Sequence, residues 1–387
     1  MVNRSGKYIQ KLSGDLAYRA FSPKPLPPDP PLEFDAELIT LNSKADRMLA
    51  RLDAACDLVP NTDLLVLMSA KREAVLSSQI EGTQSTLDDV LKAQARLDDP
   101  RLKGDLDATL NYQRAMDHGL SRLKDLPVSL RLIREIHAEL MQGVRGAEKD
   151  PGEFRRSQNW IGPGGCGLKD AQFVPPSPDE LLDHLGSLED FIHSDIQLPP
   201  LVKAALIHAQ FETIHPFLDG NGRLGRLLTT FLLVQEGILK RAILYPSYML
   251  KLERSTYYER LQAVRENGEW EAWVKFFLLS LAQAAEDAYN RSHAILQLRE
   301  ADRLAIQQKL GSGAARALQS LEALFRSPYM QPKMLAAELN VTYPTAANSL
   351  LNLASIDIVA EVTGGKRDRV FAYRAYLKLL EQESFLG

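Results

Sequence analysis

Hydrophobic residues at helical spacing define two neighbouring segments near the middle of the chain. The segment from Leu201 to Ile214 carries apolar residues at that spacing and contains no helix breaker. A second run begins at Leu224 and repeats the spacing through Leu232, before Gly237 supplies a stop signal. The pattern therefore predicts two buried helices with a short loop between them.

Helical patterns also cover the sequence from about Leu32 to Leu120 and from about Val128 to Ala288. We therefore predict a mainly α fold with three domains. They are an N-terminal arm and helical domain at residues 1–120, a helical core at residues 121–290 and a C-terminal domain at residues 291–387. The core is expected to begin with a helix from Leu130 to Val144, on which His137 is a packed core residue.

The C-terminal domain combines short helices with a hairpin. We predict its helices at Ala314–Phe325, Lys333–Leu339 and Tyr343–Ala354, and its strands at Val359–Val362 and Val370–Tyr373. Thr342 stands before the third helix and has a side chain suited to an N-cap. This order of elements is typical of a winged helix.

Basic residues mark the tip of the predicted wing, at Lys366, Arg367 and Arg369, where phosphate contact would occur. The third helix of the domain, however, has no arginine or lysine to read base edges. We therefore favour a dimerisation or target-docking role for this domain and keep DNA binding as the alternative.

Prolines are concentrated between Ser22 and Pro31, which predicts an extended arm rather than a helix. We expect a strap that packs on the next domain, with a polyproline ligand as the alternative.

Composition narrows the class of protein. A chain of 387 residues with 45% hydrophobic content can bury more than one core, and its net charge of −4 gives no overall footprint for nucleic acid. Cys56 and Cys166 are too few for a disulfide framework or a zinc cluster, which fits a reducing compartment. No stretch approaches the roughly 20 apolar residues of a membrane span. We expect a cytoplasmic enzyme without a membrane partner.

The predicted loop carries groups that suit a phosphate. Gly220, Asn221 and Gly222 allow backbone conformations that other residues rarely adopt, and they let the backbone approach a ligand closely. The amides that open the next helix lack internal partners and favour an anion. Arg223 and Arg226 are three residues apart on that helix, so both guanidiniums can lie on one face. Two such forks suit a polyphosphate better than a single carboxylate.

Two further side chains in the loop suit catalysis. Asp219 is a hard oxygen ligand for a magnesium ion (Mg2+) that also takes ligands from substrate phosphates. The ordinary pKa of a histidine lies near neutral pH, so His215 could remove a proton from an incoming hydroxyl. The sequence thus predicts a phosphate site with a base beside it.

Residues 215–226 resemble the Fic-domain signature, His-x-Phe-x-Asp/Glu-Gly-Asn-Gly-Arg-x-x-Arg, at every specified position. The resemblance implies a Fic-type helical core with a β-hairpin flap, and transfer of AMP from ATP to a protein hydroxyl. It implies that His215 is the general base and Asp219 the Mg2+ ligand. It implies the following phosphate contacts: Asn221 with the Gly220 and Gly222 amides for the α-phosphate, Arg223 for the β-phosphate and Arg226 for the γ-phosphate.

A second motif lies at the end of a helical run from Leu64 to Ile80. The stretch from Ser77 through Glu81 to Gly82 resembles the inhibitory motif of the same family, Ser/Thr-x-x-x-Glu-Gly/Asn. The resemblance implies that Glu81 pairs with Arg226 and keeps it from the γ-phosphate. A sheltered arginine–carboxylate pair is among the stronger polar contacts, and a ligand must displace it.

Two short strand-like runs, Asn159–Ile161 and Gln172–Val174, are separated by glycines and predict a hairpin. It resembles the family's flap, which aligns a target segment by strand addition. The flap residues are Trp160, Ile161, Gly162, Phe173 and Val174. We expect Trp160 to be a packing anchor, and a surface hairpin without a substrate role is the alternative.

Tyr257, Tyr258 and Leu261 resemble a Tyr-Tyr-x-x-Leu segment that lines the adenine pocket in relatives. Aromatic and apolar side chains suit a flat base, although tyrosines at helical spacing are more often core residues. Several relatives have an amide side chain one turn further on, where this chain has Arg265.

The family resemblance, together with these patterns, implies an autoinhibited protein adenylyltransferase that acts on a Ser, Thr or Tyr hydroxyl of a target protein and on itself. ATP is the substrate, Mg2+ the cofactor and a homodimer the state that relatives suggest. The alternatives are a transcriptional regulator with a nucleotide-sensing core, and a Fic-type enzyme that transfers another phosphate-linked group or removes AMP.

Overall fold

The computed structural model describes residues 3–13, 17–57, 62–95, 103–163, 165–364 and 368–385. Within these residues the chain is mainly helical, as the hydrophobic pattern predicts. The helices are α1 (Ala36–Asp57), α2 (Thr62–Ile80), α3 (Leu87–Gln94), α4 (Lys103–Arg122), α5 (Leu130–Leu140), α6 (Leu181–His193), α7 (Pro200–Ile214), α8 (Asn221–Gln235), α9 (Ser247–Leu252), α10 (Arg254–Asn267), α11 (Trp270–Lys309), α12 (Ala314–Arg326), α13 (Pro332–Glu338), α14 (Tyr343–Ser355) and α15 (Arg374–Glu381). The strands are β1 (Gly6–Lys11), β2 (Tyr18–Pro23), β3 (Tyr329–Met330), β4 (Ala360–Glu361) and β5 (Phe371–Ala372).

Helices α7 and α8 form the buried pair that the sequence predicts. Pro200 occupies the first turn of α7, where its missing amide hydrogen is tolerated. The helix ends at His215, whose backbone is left-handed with φ of 50°, and α8 starts after Gly220, with φ of 77°. Nearly every side chain of both helices is buried. The loop between them is therefore held by the core on both sides.

Helix α11 is the longest element, with 40 residues. It packs along α1 and also contacts α7, α12 and α15. The predicted boundary between residues 290 and 291 falls inside this helix, so one continuous element belongs to both predicted domains. No glycine or proline interrupts it, which explains why the chain has no hinge there.

Helix α5 is shorter than predicted. It ends at Leu140 instead of continuing to Val144, because Met141 leaves the helical conformation and Gly143 adopts a positive φ of 66°.

Among the described residues, none of the helices combines the length and the apolar character that a membrane span requires.

The N-terminal segment forms a hairpin that the sequence pattern did not predict. Strands β1 and β2 pair antiparallel, and the proline-rich residues 22–31 then run across the helical core as a strap. Gln210 on α7 donates to the Lys24 carbonyl at 2.9 Å, so the strap contacts the helical core as expected. Arg4, within the N-terminal segment itself, donates to the carbonyls of Pro30 and Pro31.

The C-terminal region confirms the three predicted helices and both hairpin strands, within one or two residues. Its sheet has the order β3–β5–β4, and Thr342 caps α14 by accepting from the Thr345 amide. Strand β3 and helix α15 were not predicted, because two residues and eight residues give too little periodicity. The assignment as a winged helix stays a prediction.

The predicted phosphate contacts of the wing are only partly visible. Lys366 and Arg367 lie outside the described residues. Arg369 is paired with Glu361, at 2.8 Å from its Nε. On α14 the exposed side chains are uncharged, and the large apolar ones among them are Tyr343 and Leu351. This surface gives no positive support to DNA binding.

Candidate functional site

The backbone at His215 is fixed by two side chains from outside its own helix. Arg155 donates from Nε to the His215 carbonyl at 3.0 Å, and Asn159 donates to the same oxygen at 3.2 Å. The Arg155 amide also donates to the Pro216 carbonyl. These contacts hold the imidazole at the mouth of the loop, next to the start of α8.

The His215 ring is electrically neutral at neutral pH. Burial lowers its pKa, the guanidiniums of Arg265 and Arg155 lower it further, and the resulting value is about 3. This is well below the ordinary range assumed from the sequence, first because the ring is buried and further because two arginines distant in sequence lie near it. A neutral imidazole is the form that accepts a proton from a hydroxyl.

Asn221 closes the loop instead of facing outward. Its amide nitrogen donates to the Phe217 carbonyl at 2.8 Å, and its amide oxygen accepts from the Phe217 amide at 2.9 Å. The side chain is almost fully buried. Both ends of the amide thus bond within the loop, and the phosphate contact implied by the family resemblance stays a prediction.

His137 supports the loop from below. Its Nδ1 accepts from the Gly152 amide at 2.8 Å, so its Nε2 carries the hydrogen and donates to the Asp219 carbonyl at 3.0 Å. Its ring stacks on Phe217 with the centroids 3.7 Å apart, and burial lowers its pKa to about 4. The predicted core histidine is confirmed, but its role of holding Asp219 could not be seen without the fold.

Asp219 faces solvent at the edge of the loop. Its Oδ1 accepts from the Gly220 amide at 2.7 Å, and its Oδ2 lies 3.1 Å from Lys149 Nζ. Arg223 lies 3.9 Å from the same carboxylate and donates to the Met141 sulfur. Lys149 was missed by sequence reasoning, since it lies outside any motif.

The residues at this edge can offer magnesium one protein ligand, the Asp219 carboxylate. Within the described residues no three His, Cys, Asp or Glu side chains come together to hold a metal ion. A single half-exposed carboxylate suits an ion such as Mg2+, which keeps waters and takes other ligands from phosphate oxygens. Asp219 meets that requirement.

Arg226 is held by the end of α2. Its Nε donates to Ser77 Oγ at 2.8 Å, and its Nη2 donates to the Ser77 carbonyl at 3.0 Å and to Glu81 Oε1 at 2.7 Å. The arginine is 1% exposed and the Glu81 side chain 38%. Burial alone would disfavour the charged guanidinium, yet the attraction of Glu81 and nearby tyrosines leaves the pKa of Arg226 above its ordinary value.

The Glu81 carboxylate also covers the first turn of α8. A Cβ atom at Gly222 would stand only 2.3 Å from Glu81 Oε1, so the carboxylate lies directly on the glycine backbone. Gly82 has a φ of 97°, a conformation that glycine adopts readily, so the chain turns directly after Glu81. The acid therefore sits where the helix N-terminus would attract an anionic ligand.

A buried acid beside the site was not predicted. Glu212 lies one turn before His215, and its Oε1 has no hydrogen-bond partner. Burial raises the pKa of Glu212 to about 7, although Arg226 acts to lower it. A Cβ atom at Gly225 would meet this oxygen at 2.5 Å. The only sequence signal was an acid within an otherwise apolar helix.

The three candidate adenine-pocket residues differ in exposure. Tyr257 is 1% exposed and hydrogen-bonds His208 at 2.9 Å, and Leu261 is also buried. Tyr258 is 39% exposed and is the member of the trio available to a ligand. Arg265 turns away toward the end of α7, where it donates to the Glu212 carbonyl at 3.0 Å.

The flap is a short hairpin. Ile161 and Phe173 exchange backbone hydrogen bonds of 2.8 and 3.1 Å, and the Val174 carbonyl accepts from Phe21 of β2. Gly162 is required at the tip, since a Cβ there would be 2.6 Å from the Cys166 sulfur. Gly164, within the predicted tip, lies outside the described residues.

Trp160 does not anchor the flap in a core. The residue is 42% exposed, and its indole nitrogen donates to the Cys166 carbonyl at 3.0 Å. Packing below the hairpin comes instead from Phe173, which is 2% exposed and has the Arg265 guanidinium 3.9 Å from its ring centre. The flap thus rests on the same arginine that acts on His215.

Comparisons with known proteins agree with this geometry. Residues 39–121 match the Fic/DOC family N-terminal domain, and residues 127–233 match the Fic/DOC family. A protein adenylyltransferase Fic from Drosophila willistoni is 32% identical over 246 residues, which cover 60% of this chain and 45% of that protein. The protein adenylyltransferase Fic from Drosophila virilis is 31% identical over 254 residues, or 62% and 46% of the two chains. The chain spans about half the length of the curated relatives it matches.

Solved structures support the fold. A Fic family protein from Desulfovibrio desulfuricans superposes with a TM-score of 0.56 at 19% identity, covering 89% of this chain and 97% of that one. A Fic domain-containing signaling protein from Bacteroides thetaiotaomicron gives a TM-score of 0.50 at 20% identity, covering 64% and 97%. Residues 39–121 and 127–233 therefore form a Fic/DOC family N-terminal domain and a Fic domain, and the complete motif at residues 215–226 lies within the second.

Proposed function

We propose that this protein is an autoinhibited protein adenylyltransferase, which moves AMP from ATP to a hydroxyl of a target protein. The observation that carries the proposal is the triple contact of Arg226 with Ser77 and Glu81 at the start of α8. A buried arginine that is paired with a displaceable acid, beside a neutral histidine, suits a polyphosphate site that is held closed. The curated relatives named protein adenylyltransferase support the same reaction.

In the proposed reaction His215 removes the proton from the incoming hydroxyl. The freed oxygen attacks the α-phosphorus of ATP in line, a new phosphorus–oxygen bond forms, and the bond to the β-phosphate bridging oxygen breaks. Pyrophosphate leaves from the side of Arg223 and Arg226, whose charges stabilise it. Asp219 would hold Mg2+, which supplies further charge neutralisation when bound.

Glu81 would prevent this reaction by competing for Arg226. While the carboxylate covers Gly222, the γ-phosphate lacks both its arginine and its space at the helix N-terminus. ATP would then bind weakly or with the α-phosphate misaligned. Inhibition thus needs no second protein.

The target segment would dock beside the flap. A groove of about 600 Å³ lies between residues 17–19 of the N-terminal hairpin and residues 171–174 of the flap. Arg19 and Lys169 contribute positive charge to it, and Glu266 contributes one negative charge. A Ser, Thr or Tyr in an extended segment paired with the flap edge would bring its hydroxyl toward His215. An acidic neighbour in that segment would complement the two cations.

The test uses ATP labelled at either the α- or the γ-phosphate, with the Glu81→Gly protein and host lysate. Label from α-labelled ATP should enter protein, and label from γ-labelled ATP should not. His215→Ala in the same background should abolish labelling while ATP binding survives. Transfer of the γ-label, or unchanged labelling by the His215→Ala protein, would overturn the proposal.

A further inference from the structure

A cavity of about 390 Å³ lies behind the inhibitory helix, away from the phosphate site. It is open on one side and is lined by α2, by the start of α3, by α9 and by the C-terminal end of α15 with the residues that follow it. Its volume is in the range of natural small-molecule sites. Its apolar wall consists of Val75, Leu76, Leu87, Leu252 and Leu380.

Two cations and two acids line this cavity without forming an ion pair with one another. Arg72 and Lys251 provide the positive charge, and Glu381 and Glu383 the negative charge. Within the described parts of the chain, none of the four has an opposite charge within ion-pair distance, and Glu383 attracts Lys251 only from further away. Asp88 also lines the cavity; it pairs with Lys92 and shares a hydrogen bond with Glu381, whose pKa is raised by burial and by Asp88.

The hydrogen-bond partners of the two cations are uncharged, so neither partner neutralises the positive charge. Arg72 is 9% exposed and donates to the carbonyls of Leu380 at 2.9 Å and Glu383 at 3.2 Å, while its Nε has no hydrogen-bond partner. Lys251 donates to the neutral amide of Gln79 at 2.6 Å. The Nε is closed off from solvent, but each terminal nitrogen of Arg72 uses one hydrogen on a carbonyl and keeps a second hydrogen for an acceptor.

We propose that the cavity binds a free α-amino acid with an apolar side chain. Its carboxylate would be held by Arg72 and Lys251, its ammonium by Glu381, and its side chain by the leucines and the valine of the wall. A zwitterion is the small ligand that offers a partner to both kinds of charge in the lining. An apolar acid or an apolar amine would leave the acids or the cations without a partner.

The position of the cavity links it to inhibition. Arg72, Val75 and Gln79 are spaced three and four residues apart, so they share the face of α2 opposite Ser77. Ser77 and the adjoining Glu81 hold Arg226 from the other side. An amino acid that ties α15 to α2 would keep the helix against Arg226, and therefore lower transferase activity. This consequence rests on the proposed function; binding itself does not.

Calorimetry and thermal unfolding of the full chain test the site directly. L-leucine and L-phenylalanine are the probes, with N-acetyl-L-leucine and L-leucine methyl ester as matched controls that each lack one charge. We expect a free amino acid to bind and to raise Tm, and each blocked form to bind about tenfold more weakly or less, since one charge-assisted contact set is lost. No binding by either amino acid, or equal binding by the blocked forms, would overturn the proposal.

Variants separate the site from general stability. Leu252→Trp should narrow the cavity, and Glu381→Gln should remove the ammonium contact; both should reduce binding about tenfold or more. Leu182→Trp is the control, because Leu182 is 65% exposed on α6, outside the cavity. Loss of binding in the control to the same extent would contradict the assignment.

Transferase assays then test the link to inhibition. The amino acid should lower labelling by the wild-type protein and leave labelling by the Glu81→Gly protein unchanged, although that variant still binds it. If binding is observed but neither protein transfers AMP, the proposed function fails and the site stands. If the Glu81→Gly protein transfers AMP and no amino acid binds, the site fails and the function stands.

Discussion

Replacement of Glu81 by glycine should release Arg226 and tighten ATP binding. In the resting protein the guanidinium makes three hydrogen bonds to the end of α2, and one of these is to a carboxylate. The two contacts with Ser77 survive the change, so the arginine keeps its position. What disappears is the negative charge that competes with the γ-phosphate.

The magnitude follows from the geometry of the pair. A hydrogen bond to a charged group contributes about 1.5–3 kcal/mol. Because the Glu81 side chain is 38% exposed, solvent screening reduces its share to about 1–2 kcal/mol. Removal of that competition should strengthen ATP binding by about 5- to 30-fold. Glu81→Gln keeps the shape but not the charge and should fall between the two.

Isothermal titration with ATP measures the effect, in a His215→Ala background that prevents turnover. Gln84→Gly is the matched control, since it loosens the same turn without a contact to Arg226. An affinity for ATP that is unchanged by Glu81→Gly would refute the competition between carboxylate and phosphate. An equal gain in the Gln84→Gly protein would show that loosening of the turn, and not the charge, is responsible.

Three further substitutions test the supports of the site. Gly225→Ala should lower the free energy of unfolding, measured by denaturant titration, by about 1–3 kcal/mol, because its Cβ would meet the Glu212 carboxylate at 2.5 Å. Gly186→Ala is the control: this glycine has open space around it, so the change should be neutral or stabilising. Glu212→Gln should stabilise the protein above pH 7 by an amount on the order of 3 kcal/mol and have no effect below pH 4.5. The reason is that the folded wild-type protein loses stability between these pH values, since Glu212 ionises at a higher pH in the folded state than in the unfolded state. Equal effects at both pH values would contradict the pKa of about 7. His137→Phe keeps the ring stacking but leaves a buried amide without its acceptor, so unfolding should become easier by about 1–3 kcal/mol, and an unchanged Tm would exclude this support.

Periodic features were predictable from the sequence, and long-range contacts were not. The α7 and α8 pair, the end of α2 and the three C-terminal helices follow from spacing and stop signals in single segments. The Glu81–Arg226 contact joins residues 145 apart, and only the family resemblance suggested it. The lowered pKa of His215 depends first on burial and then on Arg265 and Arg155, which come from other parts of the chain, and spacing within one segment reveals neither cause.

Two details depend on tertiary geometry. Trp160 was expected to anchor the flap by packing, yet its side chain is 42% exposed in the short hairpin. The family resemblance implies that Asn221 contacts phosphate; both ends of its amide bond within the loop, and the phosphate contact stays a prediction.

In the proposed function this chain transfers AMP and Glu81 inhibits the transfer. Intact mass spectrometry of the Glu81→Gly protein, incubated with ATP and Mg2+, measures both properties in one experiment. We expect the addition of one or more AMP groups, mapped to hydroxyl side chains, with much less addition in the wild-type protein and none in the Glu81→Gly, His215→Ala protein. Addition of phosphate instead of AMP, or equal addition in all three proteins, would contradict it.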